Sequence, residues 1–136
     1  MLLRYPWWSV DSSSWAKIGA FGGILVPHKR KGEFVFTEQP YVIKMSDESP
    51  DAKLMGKHYS SMSKAEQFVV LEWLELIGIP LGKRVKEEEC KEEDKGVMTC
   101  HIKRRAACLL FFEAMRKAIP KWPWAYRPVE KVKFFR

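Results

Sequence analysis

The segment between Ser63 and Pro80 carries a complete set of helix start and stop signals, and it constrains the fold of this chain more than any other feature. Ser63 is a favoured N-cap residue, and Glu66 three positions later completes a capping box. Apolar residues follow at helical spacing, and Gly78 with Pro80 ends the pattern. The sequence therefore predicts a helix over 64–77. Apolar residues lie widely around its axis, so we expect partners on more than one side.

A second helix is predicted over 99–119. Thr99 is a suitable cap, apolar residues recur at helical spacing, and Pro120 cannot continue the helix. Arg116 and Lys117 lie near the C-terminal end, where the helix dipole favours cations. We expect the two helices to pack together through four side chains: Trp73, Leu74, Phe111 and Met115.

The strongest strand signal lies in residues 33–45, where two short runs of β-branched and aromatic residues flank a polar segment. This pattern predicts a short β-hairpin, with a second strand weakened by Pro40. The expected fold class is mainly α, with two principal helices, this hairpin, and extended N- and C-terminal arms. The expected parts of the chain are an aromatic, glycine-rich arm (1–32), an α-rich body (33–119) and a basic tail rich in proline and tryptophan (120–136).

The N-terminal arm combines structure-breaking residues with large aromatic ones. Prolines and glycines interrupt it repeatedly, so its aromatic side chains cannot easily be buried without a neighbouring surface. Three of them are candidate partner contacts: Trp7, Trp8 and Trp15. The first 32 residues also hold five basic residues, one acidic residue and a serine run, which is typical of a mitochondrial targeting segment. Either this bias is accidental, or it is an uncleaved signal that places the chain at the mitochondrial inner membrane or in the matrix.

The basic charge of the chain is concentrated towards its C-terminal end. The formal net charge is +7, and residues 103–136 hold ten basic and two acidic residues, an excess of +8. The candidate partner contacts in this region are Lys103, Arg104, Arg105, Trp122, Trp124, Tyr126 and Arg127. Aromatic rings stack on bases while cations contact phosphates, which favours RNA. The same mixture is typical of a tail that lies in a protein groove or at a lipid headgroup layer.

Motifs for metal binding, catalysis and membrane spanning are missing from the sequence. The spacing of Cys90, Cys100, His101 and Cys108 lacks the tight ligand pairs of structural zinc sites. The odd number of cysteines argues against a closed disulfide framework. The chain has no nucleophile elbow, no Walker pattern and no run of 18 apolar residues. We therefore expect no enzyme activity, no cofactor, no metal and no small-molecule substrate.

These features predict a non-catalytic accessory subunit of a large mitochondrial membrane assembly, such as a respiratory complex or ATP synthase, with a role in structure and assembly. Its partners would be other protein subunits and, at the membrane, lipid headgroups. Extended arms on a small body suit this role, because each arm becomes ordered when its partner is present. The alternative is a mitochondrial ribosomal protein whose basic C-terminal region binds rRNA.

Overall fold

Three α-helices and two small β-sheets form the part of the chain that the computed structural model describes, residues 13–48 and 58–118. In chain order these elements are α1 (Ser14–Ala20), β1 (Gly23–Val26), β2 (His28–Arg30), β3 (Glu33–Val35), β4 (Tyr41–Lys44), α2 (Lys64–Ile77) and α3 (His101–Ala118). Short 3-10 turns lie at Tyr59–Ser61, Glu87–Glu89 and Glu92–Asp94. Helical conformations account for 49% of these residues and strands for 15%. The fold is therefore mixed α/β, and the expectation of a mainly α fold with two principal helices is wrong.

The predicted hairpin over 33–45 is also wrong, because β3 and β4 pair with different strands. β3 pairs antiparallel with β2, whereas β4 pairs antiparallel with β1 and places Ile43 opposite Ile24. The turn between β2 and β3 consists of Lys31 and Gly32, with φ angles of 52° and 79°. Two successive positive φ angles match the twist of the flanking strands in a two-residue hairpin. The strand signal was close to β3 and β4, but their partners came from residues predicted to be irregular.

Residues 14–30 fold into the body and do not form an extended arm. Gly22, with a φ of 82°, lets the chain turn from α1 into β1. All four residues of β1 are buried. A Cβ on Gly23 would lie 3.2 Å from Cγ2 of Ile18, so this glycine permits close packing of α1 on β1. The glycines that indicated an irregular segment are therefore what allows a helix and a strand to meet.

α2 has the bounds and the caps that the sequence predicted. The Ser63 side chain accepts the backbone N–H of Glu66, and the Glu66 carboxylate accepts the backbone N–H of Ser63 at 2.9 Å. Gly78 ends the helix in the left-handed conformation with a φ of 73°. The local signals were sufficient here because each cap is satisfied within a few residues of the chain.

α2 and α3 pack together through a cluster of aromatic rings. Trp73 of α2 and Phe111 of α3 lie edge to face, with ring centroids 6.3 Å apart. Phe36 contacts both rings at 5.7 and 5.9 Å, and Phe34 packs edge-on against Trp73 at 5.5 Å. Edge-to-face pairs stabilise a core beyond the apolar area that they bury. The predicted contact between Trp73 and Phe111 is confirmed, and rings from β3 and the residues after it complete the cluster.

Two glycines allow the chain to cross itself on either side of residues 83–95, a stretch with six acidic residues that we name the acidic loop. A Cβ on Gly96 would lie 2.3 Å from the backbone N of Gly82, so neither position has room for a side chain. Three backbone hydrogen bonds join the segments: Lys83 N–H to Asp94 O, Val97 N–H to Pro80 O, and Met98 N–H to Leu81 O. Residues 83–95 therefore form a closed loop whose ends are fixed just before α3.

Candidate interaction surfaces

The partner-contact candidates that the structure describes face in different directions. Lys103 is exposed, whereas Arg104 is only 5% exposed and Arg105 is half-buried. Trp15 of α1 is half-buried and packs against the hydrophobic core. Of these four residues, Lys103 is exposed and the other three are buried or half-buried. The other candidates lie outside the described residues: Trp7, Trp8, Trp122, Trp124, Tyr126 and Arg127.

Arg104 fixes α1 and the segment before α3 in place. Its Nε donates to the Gly19 carbonyl at 3.0 Å, and its Nη1 donates to the Val97 carbonyl at 3.2 Å. Burial lowers the pKa of Arg104, because the protein interior solvates a cation less well than water does. α1 lies so close that a Cβ on Gly19 would be 2.6 Å from Cγ of Arg105. Arg104 therefore serves the fold through its charged group, and the Cγ of Arg105 packs against α1.

The outward side of α3 exposes large apolar side chains to solvent. Ile102 is 63% exposed, and Leu109 and Leu110 are exposed as well. With half-buried Ala106 they occupy positions i, i+4, i+7 and i+8 of the helix, so they lie along one side. We name Ile102, Ala106, Leu109 and Leu110 the α3 stripe. The stripe was not predicted, although a helical projection separates it from the buried residue Phe111.

Cations lie beside the α3 stripe. Lys103, Arg116 and Lys117 are exposed. Glu113 accepts hydrogen bonds from Nε and Nη2 of Arg116 at 2.9 and 2.7 Å, and it lies 4.0 Å from the Lys117 ammonium group. The outward side of α3 therefore carries three exposed cations and the single carboxylate of Glu113.

The outward side of α2 is also apolar, and it carries two acidic side chains. Phe68, Leu71 and Leu76 are exposed, the last of them by 67%. Glu72 and Glu75 lie on the same side of the helix, since they fall four and seven positions after Phe68. The described residues do not form the second cover that the sequence led us to expect over α2. Among the residues that the structure describes, nothing covers the outward sides of α2 and α3.

An open groove of about 720 Å³ continues the exposed side of α2 towards the β2–β3 hairpin. Phe34, Phe36 and Leu76 contribute its apolar lining. Lys29 reaches over the Phe34 ring, with its ammonium group 5.8 Å from the centroid, and forms an ion pair with Glu72. The groove therefore joins the α2 face to the aromatic cluster of the core.

A second groove, of about 430 Å³, has a polar lining that includes Ser46 and Asp47, next to the buried ring of His58. The backbone N–H of Ser60 donates to Nδ1 of His58 at 3.2 Å, so Nε2 carries the proton and donates to the Ser46 carbonyl at 3.2 Å. The Ser60 hydroxyl lies 2.7 Å from Nδ1, and a carboxylate oxygen of Asp47 lies 3.5 Å from Nε2. The order of side chains is therefore serine, histidine, aspartate.

This arrangement around His58 caps a turn and leaves no free base for a nucleophile. A general base needs an available lone pair, and the lone pair on Nδ1 already accepts the backbone N–H of Ser60. Asp47 binds Arg84 through both carboxylate oxygens, at 2.5 and 2.6 Å. The hydrogen bonds from Arg84 hold the pKa of Asp47 below its usual range. The geometry thus gives His58 a structural role at the start of the Tyr59–Ser61 turn.

The cysteines and His101, which were weighed as metal ligands, do not come together in a site. Within residues 13–48 and 58–118, no three potential metal ligands converge. His101 instead pairs with Glu87 at 3.0 Å. Burial raises the pKa of Glu87, but hydrogen bonds from His101 and Cys100 outweigh it, so that the pKa is lowered. Cys90, Cys100 and Cys108 are all free thiols.

We expect the three thiols to differ strongly in reactivity. Burial raises the pKa of Cys108 to about 11, and the thiolate is the reactive form. Iodoacetamide at pH 8 should therefore modify half-exposed Cys90 first and leave Cys108 unmodified until the chain unfolds. Because the folded pKa lies above the unfolded one, the contribution of Cys108 to stability is complete below about pH 9 and is lost as the pH rises through about 11. Peptide mass spectrometry measures the rates, and equal rates at Cys90 and Cys108 would contradict this burial.

Comparisons with known proteins assign no role to these surfaces. No known family, curated protein or solved structure matches the chain. In the part of the chain described here, no helix is both long enough and apolar enough to cross a membrane. The function is therefore inferred from the exposed residues of α2 and α3 and from the charges beside them.

Proposed function

We propose that this chain is a non-catalytic subunit that packs into a larger protein assembly. The observation that carries the proposal is the clustering of exposed apolar side chains on the outward sides of α2 and α3. Full burial of one such side chain contributes about 1.5–3 kcal/mol, and contiguous exposed patches mark interaction sites. Contact with partner subunits would remove both helix faces from water.

Within this proposal, the assembly is a mitochondrial membrane complex such as a respiratory complex or ATP synthase. The composition of the first 32 residues supports this choice, with five basic residues, one acidic residue and a serine run. The chain would act in structure and assembly through contacts with other subunits and with lipid headgroups, and it would need neither substrate nor cofactor.

A mitochondrial ribosomal protein is the alternative function, favoured by exposed Lys103, Arg116 and Lys117. Binding to rRNA depends mainly on phosphate contacts. The guanidinium group of Arg104 donates to internal carbonyls, so it is not available for phosphate contacts. The exposed cations also lie beside the apolar α3 stripe, which phosphates would leave in water. Protein partners therefore fit this surface better than RNA does.

Native isolation of the full chain from its own cells tests the proposal. We expect it to migrate far above its own mass of 15.9 kDa and to co-purify with subunits of one inner-membrane complex. The complex should survive RNase, since protein contacts hold it together. Release by RNase would support the ribosomal alternative. A monomeric chain, or a partner list without respiratory, ATP synthase or ribosomal proteins, would contradict both functions.

A charged variant of the α2 face provides a second readout of the same proposal. Phe68→Glu with Leu76→Glu should reduce incorporation into the complex about ten-fold or more, because each lost central contact costs about 1 kcal/mol or more. Both side chains are exposed, so circular dichroism should show an unchanged fold. Val85→Glu, at an exposed apolar position off the helices, is the matched control and should incorporate normally.

A further inference from the structure

We propose that the α3 stripe docks an acidic amphipathic helix of a partner subunit. This inference rests on the proposed function and adds the chemistry of one contact to it. The stripe supplies the apolar area of the contact, and the exposed cations Lys103, Arg116 and Lys117 supply its charge. Nothing in the motifs or in the two grooves assigns a role to this side of α3.

The spacing of the α3 stripe suits a helical partner. Ile102, Ala106 and Leu109 are four and then three residues apart, which is the alternation found where two helices pack side by side. Because the side chain of Ala106 is small, a side chain of a partner helix would have room to pack between Ile102 and Leu109. At 1.5 Å per residue, the stripe extends about 12 Å along α3 and the span from Lys103 to Lys117 about 21 Å, a length that about four turns of a partner helix would cover.

The charges beside the α3 stripe select an acidic partner. Lys103 is exposed in the first turn of α3, a turn with no acidic residue of its own, while Glu87 of the preceding turn is engaged by His101. Arg116 and Lys117 add two cations at the other end, and Glu113 neutralises about one of them. Aspartate or glutamate residues beside the apolar ridge of a partner would pair with these cations and fix the register of docking.

Occupants drawn from this chain fit the α3 stripe less well. A second α3 would bring like charges together, and the segment 119–136 carries five basic residues and one acidic residue. The α2 face of a second copy is apolar and acidic, but its carboxylates are largely engaged. Glu72 pairs with Lys29, and exposed Lys64 lies on the same side four positions before Phe68, which leaves Glu75 to face three cations. A different, more acidic subunit is therefore the better complement.

A photo-crosslinking amino acid in place of Leu109 tests this contact in the assembled full chain. Leu109→p-benzoyl-phenylalanine should link to one partner segment that has apolar residues at helical spacing and an excess of aspartate and glutamate. Links to a second copy, to residues 119–136, to RNA or to lipid would overturn the proposal. The same substitution at exposed Glu88, in the acidic loop, is the matched control and should not link to that segment.

The crosslinking result separates this inference from the proposed function. A chain that assembles on native gels but gives no link from position 109 would overturn the docking at α3 and leave the proposed function standing. A chain that stays monomeric would contradict both. An acidic helical segment linked at 109 within the complex supports both.

Reversal of charge tests the electrostatic part of the docking separately. Lys103→Glu with Lys117→Glu should weaken incorporation about ten-fold at low salt, and added salt should restore part of it by screening the repulsion. The matched control, Lys86→Glu with Lys91→Glu, changes the net charge equally at exposed positions off α3 and should have little effect. Equal losses in the two double variants, or no loss in the first, would overturn the acidic partner.

Discussion

Trp73→Ala is expected to lower the free energy of unfolding by about 3–5 kcal/mol. The indole is 1% exposed and touches the rings of Phe34, Phe36 and Phe111. Its removal leaves a cavity that these rings cannot close without moving the elements that carry them. Because a domain of this size has about 5–15 kcal/mol of stability in total, the loss is a large share of it. Denaturant unfolding followed by circular dichroism measures the change.

Trp73→Phe is the matched control for this prediction. The indole Nε1 is buried and has no hydrogen-bond partner in the described parts of the chain. Phenylalanine removes that unpaired donor, whose burial costs about 1–3 kcal/mol, and keeps a ring in the cluster. We expect Trp73→Phe to cost less than half as much as Trp73→Ala. Equal costs would show that ring packing is not the source of the effect.

Arg104→Ala is expected to destabilise the fold by about 3–5 kcal/mol. The substitution removes two hydrogen bonds from a charged donor, each worth about 1.5–3 kcal/mol, and leaves the carbonyls of Gly19 and Val97 without that donor. α1 should lose its attachment to α3 first, because one of the two bonds holds the end of α1. Hydrogen exchange of α1 amides, measured beside global unfolding, should show this local loss.

Two further variants control for a general effect of basic charge at this position. Lys103→Ala removes an exposed neighbouring cation and should change the free energy of unfolding by about 0.5 kcal/mol or less. Arg104→Lys keeps the charge but has one donor group, which cannot reproduce the fork that binds both carbonyls, so it should recover only part of the stability. Losses at Arg104 no larger than those at Lys103 would mean that Arg104 faces outward.

The two long helices were predictable because their signals are local, whereas the sheets were not. Ser63, Glu66 and Gly78 satisfy the ends of α2 from within the chain around them. β1 pairs with residues about twenty positions away, and its burial depends on α1 and α3. Short apolar runs between glycines do not reveal which strand they will join. The pairing of β3 and β4 therefore depends on long-range contacts, which a local sequence pattern does not predict.

The basic run at 103–105 shows how much of the candidate surface could be predicted from the sequence. Successive residues of a helix point about 100° apart, so Lys103, Arg104 and Arg105 cannot share one side. Projection of α3 places Arg104 with the buried residue Phe111 and would have removed it from the contact candidates. The carbonyl that Arg104 binds belongs to Gly19, 85 residues earlier, and no spacing rule connects the two. The tertiary fold decides whether a cation in such a run is buried or exposed.

The crossing of Gly82 and Gly96 fixes the two ends of the acidic loop beside the body of the protein. Its ends are tied by backbone bonds, so extra residues at its tip would not displace α2 or α3. The entropy of closing a loop grows slowly, by about 0.6 kcal/mol for each doubling of its length, and exposed polar tips tolerate insertion. The junction between Cys90 and Lys91 is thus a place where an epitope or a fluorescent domain could be inserted. A label there leaves both chain ends and both open helix faces free for the assembly to be followed in cells.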